Sequence, residues 1–331
     1  MVQGDGAQRD QNSLDSGMKE IYFAGGCFWG TEHFFSGVDG VVSAVSGYAQ
    51  GREDFVGRPS YEQVYTDTTG FAETVKVSYN PERITLELLT ELYFDIIDPL
   101  SLNRQGHDEG TRYRTGIYYT DSADLAVLQK VYAGVEKRLG QKPAVELEPL
   151  RNFYEAEQRH QKYLDKNPDG YCHLPLKTFK YLRLYQDVRA MLADEPDPVA
   201  RMAETAALIY ERMHFFWVGY YVVRNDQLVL GPFQGPPACL RIAYGKGVCG
   251  TSWKEKRTIA VPDVEKFPGH IACSSLSRSE IVVPVLSPLS TIGAGHHDDA
   301  GTVTAVLDID STEVGKFDAT DALWLEKIAA L

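Results

Sequence analysis

The sequence predicts an α+β protein of two domains. Three observations carry that reading: the length, an interleaving of strand-like and helical segments up to about Pro149, and a later series of strand-like runs beyond a proline-marked break. The chain has 331 residues, more than one core commonly serves at about 100 to 200 residues per domain. With 44% hydrophobic and 24% charged residues, both halves have enough apolar side chains to bury a core, which excludes bulk disorder. No internal repeat or low-complexity tract interrupts them.

Residues 1–17 (MVQGDGAQRDQNSLDSG) are polar and read as a disordered tail. Lys19 to Ala24 alternates like a strand, and Gly25 and Gly26 turn the chain into CFWGTEHFFSG, which has helical apolar spacing. Thr74 to Tyr79 and Thr115 to Tyr119 read as strands, Leu86 to Ile97 and Ala123 to Leu139 as helices. From Arg151 to Pro175 a short helix and coil are expected. Lys177 to Leu192 is amphipathic, ADEPDPVA breaks it, and a second helix runs from Val199 to His214. Strand-like runs follow at Phe216 to Val223, Gln227 to Phe233, Thr258 to Val261, Glu280 to Leu286 and Thr302 to Ile309, the pattern of a largely antiparallel sheet flanked by helices. Ser287 to Gly301 is polar and aperiodic, an exposed loop. The domains expected are 18–177 and 178–331.

A formal net charge of −13, with no dense Lys/Arg run, argues against nucleic acid and anionic membrane as partners. The first residues lack the apolar stretch of a signal peptide, and no run approaches the roughly 20 apolar residues that span a bilayer. A cytoplasmic location is expected. Five cysteines (Cys27, Cys172, Cys239, Cys249, Cys273) are odd in number and widely spaced, so reactive thiols rather than structural disulfides are expected there. A free cysteine is otherwise a small buried hydrophobe, and context decides each case.

Cys27 sits where the Gly25–Gly26 turn enters a helix, so unpaired N–H groups and the helix dipole are expected to favour its thiolate. Phe28 and Trp29 follow at once and suggest a pocket wall. GCFWG at Gly26 to Gly30 resembles the active-site motif of the peptide methionine sulfoxide reductase A family. SGY (Ser46 to Tyr48), PSYEQV (Pro59 to Val64), GFAETVKVSYNP (Gly70 to Pro81), DPLSLNRQGHDEGTRYRTGIY (Asp98 to Tyr118) and NPDGYCH (Asn167 to His173) resemble it too, in the family's order.

The resemblance implies an α/β plait, ferredoxin-like core over roughly 18 to 177. It further implies that Cys27 attacks the sulfoxide sulfur while Phe28 and Trp29 hold the substrate methyl group. Glu73 would be the acid, since a sulfoxide oxygen leaves poorly without a proton; Tyr61 and Tyr113 would hydrogen-bond that oxygen, and Asp108 would orient the cluster. Glu73 must then stay protonated near neutral pH, which burial beside aromatic rings can achieve. A sulfenic acid on Cys27 would condense with a second thiol, for which Cys172 in a coil is the candidate. His107 stands where the family more often has Asn, and Ile97 where many members have His; neither removes a reacting group.

In the second half Cys239, Cys249 and Cys273 each lie in a glycine- or proline-marked loop or turn. WVGYY, LVLGPFQGPPAC, GKGVCGT, VPDVEKFPGHIAC, SRSEIVVPV and VLDID resemble the free methionine-R-sulfoxide reductases, which have the GAF fold, over roughly 179 to 331. That resemblance implies Cys273 as nucleophile, Cys239 as its disulfide partner and Cys249 as an auxiliary thiol. Glu280, Asp308 and Asp310 would gather around the amino acid, raising one another's pKa, and Trp217 and Tyr221 would wall the methyl side. The loop Ser287 to Gly301 is longer than that family's turn.

The two resemblances together imply reduction of methionine sulfoxide, the S epimer (free or in oxidised proteins) at Cys27 and the free R epimer at Cys273. No bound cofactor or metal is expected, and thioredoxin or another dithiol would be the reductant. The rival reading makes the GAF half a sensor of a small molecule with no chemistry. A zinc set of His270, Cys273, Cys239 and Cys249 lacks the usual C-x-x-C, and His296 and His297 read as solvent-exposed.

Overall fold

The computed structural model describes residues 17–271, 274–286 and 301–331. Most of the polar tail, Cys273, and the loop 287–300 with His296 and His297 lie outside the described residues. The chain divides into two compact units, Met1–Pro175 and Leu176–Leu331.

The first unit runs β1 (Lys19–Gly25), α1 (Phe28–Ser36), β2 (Val41–Ala49), α2 (Tyr61–Tyr65), β3 (Ala72–Tyr79), α3 (Leu86–Asp95), the short β4 (Arg104–Gln105) and β5 (Asp108–Glu109), β6 (Thr115–Tyr119), α4 (Leu125–Leu139), β7 (Glu146–Pro149), β8 (Phe153–Glu155) and α5 (Tyr163–Lys166). Its six-stranded sheet has the order β7-β6-β1-β3-β2-β8. All neighbours are antiparallel except β6 and β7. The inner four strands with α1 and α3 form the expected βαββαβ plait.

Register decides which side chains meet. Ile21 pairs with Val77, Phe23 with Val75, and Tyr48 with Glu73, so alternation puts these six on one face. The helices cover that face: Phe23 stacks on Phe35 of α1 and Tyr93 of α3, each at 4.8 Å between ring centroids. The opposite face buries Tyr22, Ala24, Ala49, Ala72 and Tyr118 under Leu150 and Phe153. Glu73 is thus a carboxylate placed by strand alternation inside an apolar layer.

The second unit runs α6 (Leu176–Met191), α7 (Pro198–Met213), β9 (Trp217–Arg224), β10 (Gln227–Gln234), β11 (Arg241–Ala243), α8 (Gly247–Glu255), β12 (Ile259–Val261), β13 (Ser279–Leu286), β14 (Val303–Ser311) and α9 (Ala319–Ala329). Its sheet, β11-β10-β9-β14-β13-β12, is antiparallel throughout, with helices packed on it as expected for the GAF architecture. Asp197 caps α7 by accepting from the Val199 and Ala200 N–H groups, with Pro198 in the first turn, and Asp318 and Asp321 close a capping box on α9.

The sequence does not anticipate several elements, among them the short β8, where helix and coil are expected, and the longer β2, α8 and α9. β2 (VVSAVSGYA) carries small polar residues and a register shift between Val41 and Ser43, which blur its alternation. In α8 two glycines, Gly247 and Gly250, hide the helical period. Gly250 is needed, because a Cβ there would stand 2.6 Å from the Ala243 carbonyl oxygen. α9 also went unread, although it supplies Trp324, fully buried and parallel to Tyr181 at 6.5 Å. Trp324→Ala should destabilise the second unit by about 3–5 kcal/mol through the lost transfer energy and the cavity left behind; a denaturant titration of that unit showing less than about 1 kcal/mol would refute the packing role.

Candidate active site

In the first unit the turn Gly25–Gly26 delivers Cys27 to the N-cap of α1. Gly26 has φ +80, and a Cβ on it would meet Gln105 Cβ at 2.6 Å, so only glycine fits this turn. Cys27 is 5% exposed and its side chain makes no capping hydrogen bond. Glu73 takes that part instead: its Oε2 accepts from the Phe28 N–H at 2.9 Å. One orphan donor of the helix is thereby satisfied by a carboxyl group from the neighbouring strand.

Glu73 is 2% exposed, and burial pushes its pKa up to about 8, helped by the charge of Asp108 and opposed by the Phe28 N–H and Arg112. It is a neutral acid at pH 7. Cys27 departs from expectation. The Trp29 N–H at the helix start does pull its pKa down, but burial and the Glu73 charge push it well above the ordinary thiol value. The resting group is a thiol, because desolvation outweighs the dipole of a nine-residue helix.

The other expected residues surround this pair. Tyr61 opens α2, and burial with the Glu73 charge raises its pKa to about 12. Tyr113 is buried, also raised by burial and Glu73, and lies under the Arg112 guanidinium at 4.4 Å. Asp108 accepts from the Tyr171 hydroxyl at 2.9 Å. Phe28 is fully buried, 5.8 Å from Tyr48 and 5.4 Å from His160. Cys172 is half-buried and, like Cys27, a free thiol. A Cβ on Gly30 would stand 3.0 Å from Cys172 Sγ, so this thiol rests on the first turn of α1.

A cavity of about 560 Å³ is lined by Trp29, Tyr61, Tyr65, His160 and Tyr163, with Glu62 and Arg159 also on its wall; Cys27 and Glu73 are not among its lining residues. Trp29 stacks on Tyr163 at 3.7 Å, and its Nε1 donates to His160 Nδ1 at 3.2 Å. His160 and Tyr163 were missed from the sequence, where RHQKY reads only as part of a short helix and coil. No helical spacing signals the pair, because α5 begins only at Tyr163 and Lys162 before it is left-handed.

In the second unit strand register gathers the acids. Glu280 pairs with Asp310, Val282 with Asp308, and Asp308 and Asp310 lie opposite Gly219 and Trp217, so all share one face. There the Cys249 Sγ, on α8, is 3.9 Å from Glu280 Oε1. Burial and mutual repulsion raise Glu280 and Asp308 well above the carboxylate range, and burial lifts Asp310 to about 6. Cys249 is raised well up too, by burial and then by Asp308 and Glu280. One ligand atom each from Cys249, Glu280 and Asp308 lies within 4.8 Å of the others. His270 Nε2 stands 3.7 Å from Glu280 Oε2. A cavity of about 30 Å³ opens among Cys249, His270, Ser277, Glu280, Asp308 and Asp310.

Trp217 and Tyr221 do not line that space. They stack on each other at 6.0 Å within the core, where Trp217 donates to the Pro236 carbonyl and Tyr221 to the Cys239 carbonyl, both at 3.0 Å. Tyr221 nonetheless faces the acids, whose charges help hold its hydroxyl protonated. Cys239 is half-buried and disulfide-bonded; its partner is not among the described residues.

The family described as peptide methionine sulfoxide reductase matches residues 19–189 of this sequence. The chain belongs to that family. Relatives include the peptide methionine sulfoxide reductase MsrA of Clostridium acetobutylicum, 49% identical over 49% of this chain and 99% of its own length. That of Lachnoclostridium phytofermentans is 49% identical over 47% of this chain and 92% of its own. Among solved structures, the free methionine-R-sulfoxide reductase of Neisseria meningitidis in complex with its substrate is 46% identical over 47% of this chain and 87% of that one, with a TM-score of 0.42. No helix among the described residues is long and apolar enough to cross a membrane.

For this member of the peptide methionine sulfoxide reductases, the contact supporting Tyr113 is testable. Arg112 Nη1 lies 2.5 Å from Asp67 Oδ2, and the arginine side chain is 9% exposed against 31% for the aspartate. Asp67→Ala leaves a nearly buried guanidinium short of a partner and should cost about 1–3 kcal/mol, read as a lowered unfolding midpoint of the first unit; an unchanged midpoint would show that Arg112 finds other partners.

Proposed function

We propose that this chain reduces methionine sulfoxide at two independent sites, the S epimer at Cys27 and the free R epimer at Cys273. The observation that carries the first assignment is a buried Glu73, its pKa raised by that burial, hydrogen-bonded to the N–H of the residue after Cys27. A sulfoxide oxygen is a poor leaving group, and a carboxylic acid can protonate it as the sulfur is attacked. Cys27 sulfur takes the oxygen, methionine departs, and a sulfenic acid remains. Tyr61 and Tyr113, held as phenols, donate to the same oxygen. Trp29 and its aromatic neighbours flank a cavity wide enough for a side chain still attached to a polypeptide.

Cys172 then condenses with the sulfenic acid, and a thioredoxin-like dithiol reduces the disulfide. In the second unit Cys273 attacks, Cys239 closes the disulfide, and the neutral or half-neutral acids receive the ammonium group and protonate the oxygen. The space among them holds about one water, so an amino acid enters only when its walls open.

Because reaction at Cys27 needs a thiolate and a neutral acid together, the pair must carry one proton between them. Below the Glu73 value both groups are protonated, and the reactive form grows as pH rises. kcat/KM for the S epimer should therefore climb with pH up to about 8 and then level; a profile flat from pH 6 to 8 would contradict the assignment. Glu73→Gln should lower the rate by roughly 10²-fold or more. Assayed on separated epimers, Cys27→Ser should abolish only S reduction and Cys273→Ser only R reduction. R reduction that survives Cys273→Ser would overturn the second site and leave the second unit as a binding module.

A further inference from the structure

One half-buried histidine of the first unit takes no part in the steps above. His173 follows Cys172 directly, and neither of its ring nitrogens has solvent exposure or a well-formed hydrogen bond. Its ring lies on Gly30: a Cβ at that glycine would stand 3.0 Å from His173 Cε1, 3.1 Å from Nδ1 and 3.0 Å from Cys172 Sγ. Imidazole and thiol therefore sit side by side, within about 6 Å, on the turn of helix that Cys27 opens. The other edge of the ring faces Gly26, the residue before Cys27, with Nε2 3.6 Å from the place of a Cβ on that glycine.

Ring nitrogens buried with no more than a loose contact to the Gly25 carbonyl carry a desolvation cost that packing alone does not require. Asp108, from β5, is the charged group facing both the ring and the Cys172 thiol. It and the nearby Gly25 carbonyl favour the protonated ring, but burial prevails and the ring is neutral. Burial also keeps Cys172 a thiol, above its ordinary value. A neutral base beside a thiol that must lose its proton is the arrangement needed for disulfide closure.

We propose that His173 is the acid–base residue of the resolving step: it takes the proton of the Cys172 thiol and hands it to the oxygen leaving Cys27. The Cys172 sulfur attacks the Cys27 sulfenic sulfur, the S–S bond forms, and the S–O bond breaks with its electron pair on oxygen. The proton carried by His173 completes a water molecule, so no outside oxidant or reductant enters. The proposal rests on Cys172 being the resolving thiol, as read above.

The test is a single turnover of the full chain on an S-epimer sulfoxide without reductant, quenched with an alkylating agent. Released methionine reads the first step, and the linked Cys27–Cys172 peptide, found by mass mapping, reads the second. His173→Asn should release methionine at the wild-type rate and close the disulfide roughly 10²-fold more slowly at neutral pH. The deficit should shrink as pH rises and Cys172 ionises unaided. His173→Gln keeps an amide of similar bulk without a titrating nitrogen and should behave alike. Closure at the wild-type rate, a deficit independent of pH, or equal slowing of both steps would each overturn the proposal. If the wild type forms no Cys27–Cys172 peptide, and Cys172→Ser still completes turnover by another disulfide, the assignment of Cys172 itself fails, and with it the role of His173.

Discussion

Everything at the first site depends on a carboxyl group carried by a strand into an apolar layer and tied to the start of a helix. Glu73 occupies the sheet face that otherwise buries Ile21, Phe23, Val75 and Val77. A charge there would be costly, and the protein meets the constraint with a proton and one backbone donor, the Phe28 N–H. The same burial that neutralises the acid also protonates Cys27. The site rests in a state that cannot react with solvent oxidants as a thiolate would, and it is poised to redistribute one proton when a sulfoxide oxygen arrives.

The second unit reaches a similar electrostatic condition by another route. There the acids come from two adjacent strands, and their register across β13 and β14 sets Glu280, Asp308 and Asp310 on one face beside Cys249. Crowded carboxyls hold one another's protons, so the cluster is short of positive charge. The ammonium group of the proposed free amino acid would supply it, whereas a peptide-bound methionine, whose nitrogen is an amide, would not. Charge, and not only volume, thus separates the substrates proposed for the two units.

Much of this was legible in the residues. Period-two runs located β1, β3 and β6, and the two prolines of ADEPDPVA marked the break between α6 and α7. β2 and α8 were not legible, since glycines and serines placed for close backbone approach carry no hydrophobic period. Glu73 was identifiable from its motif, and its protonation could be anticipated from apolar neighbours. The state of Cys27 could not. Helix position argues for a thiolate, and burial of the thiol, helped by Glu73, reverses the sign. His160 escaped because the ring it bonds, Trp29, lies over a hundred residues away, and His173 because it packs on Gly30, equally distant in sequence.

The most direct measurement is the titration of the Glu73 carboxyl carbon by ¹³C NMR, in selectively labelled protein compared with Glu73→Gln to assign the signal. This carbon should keep the chemical shift of the acid through neutral pH and titrate at about 8. A midpoint in the ordinary glutamate range of about 4 to 5 would mean that a carboxylate, not an acid, faces Cys27, and the proton-sharing account of the site would be contradicted.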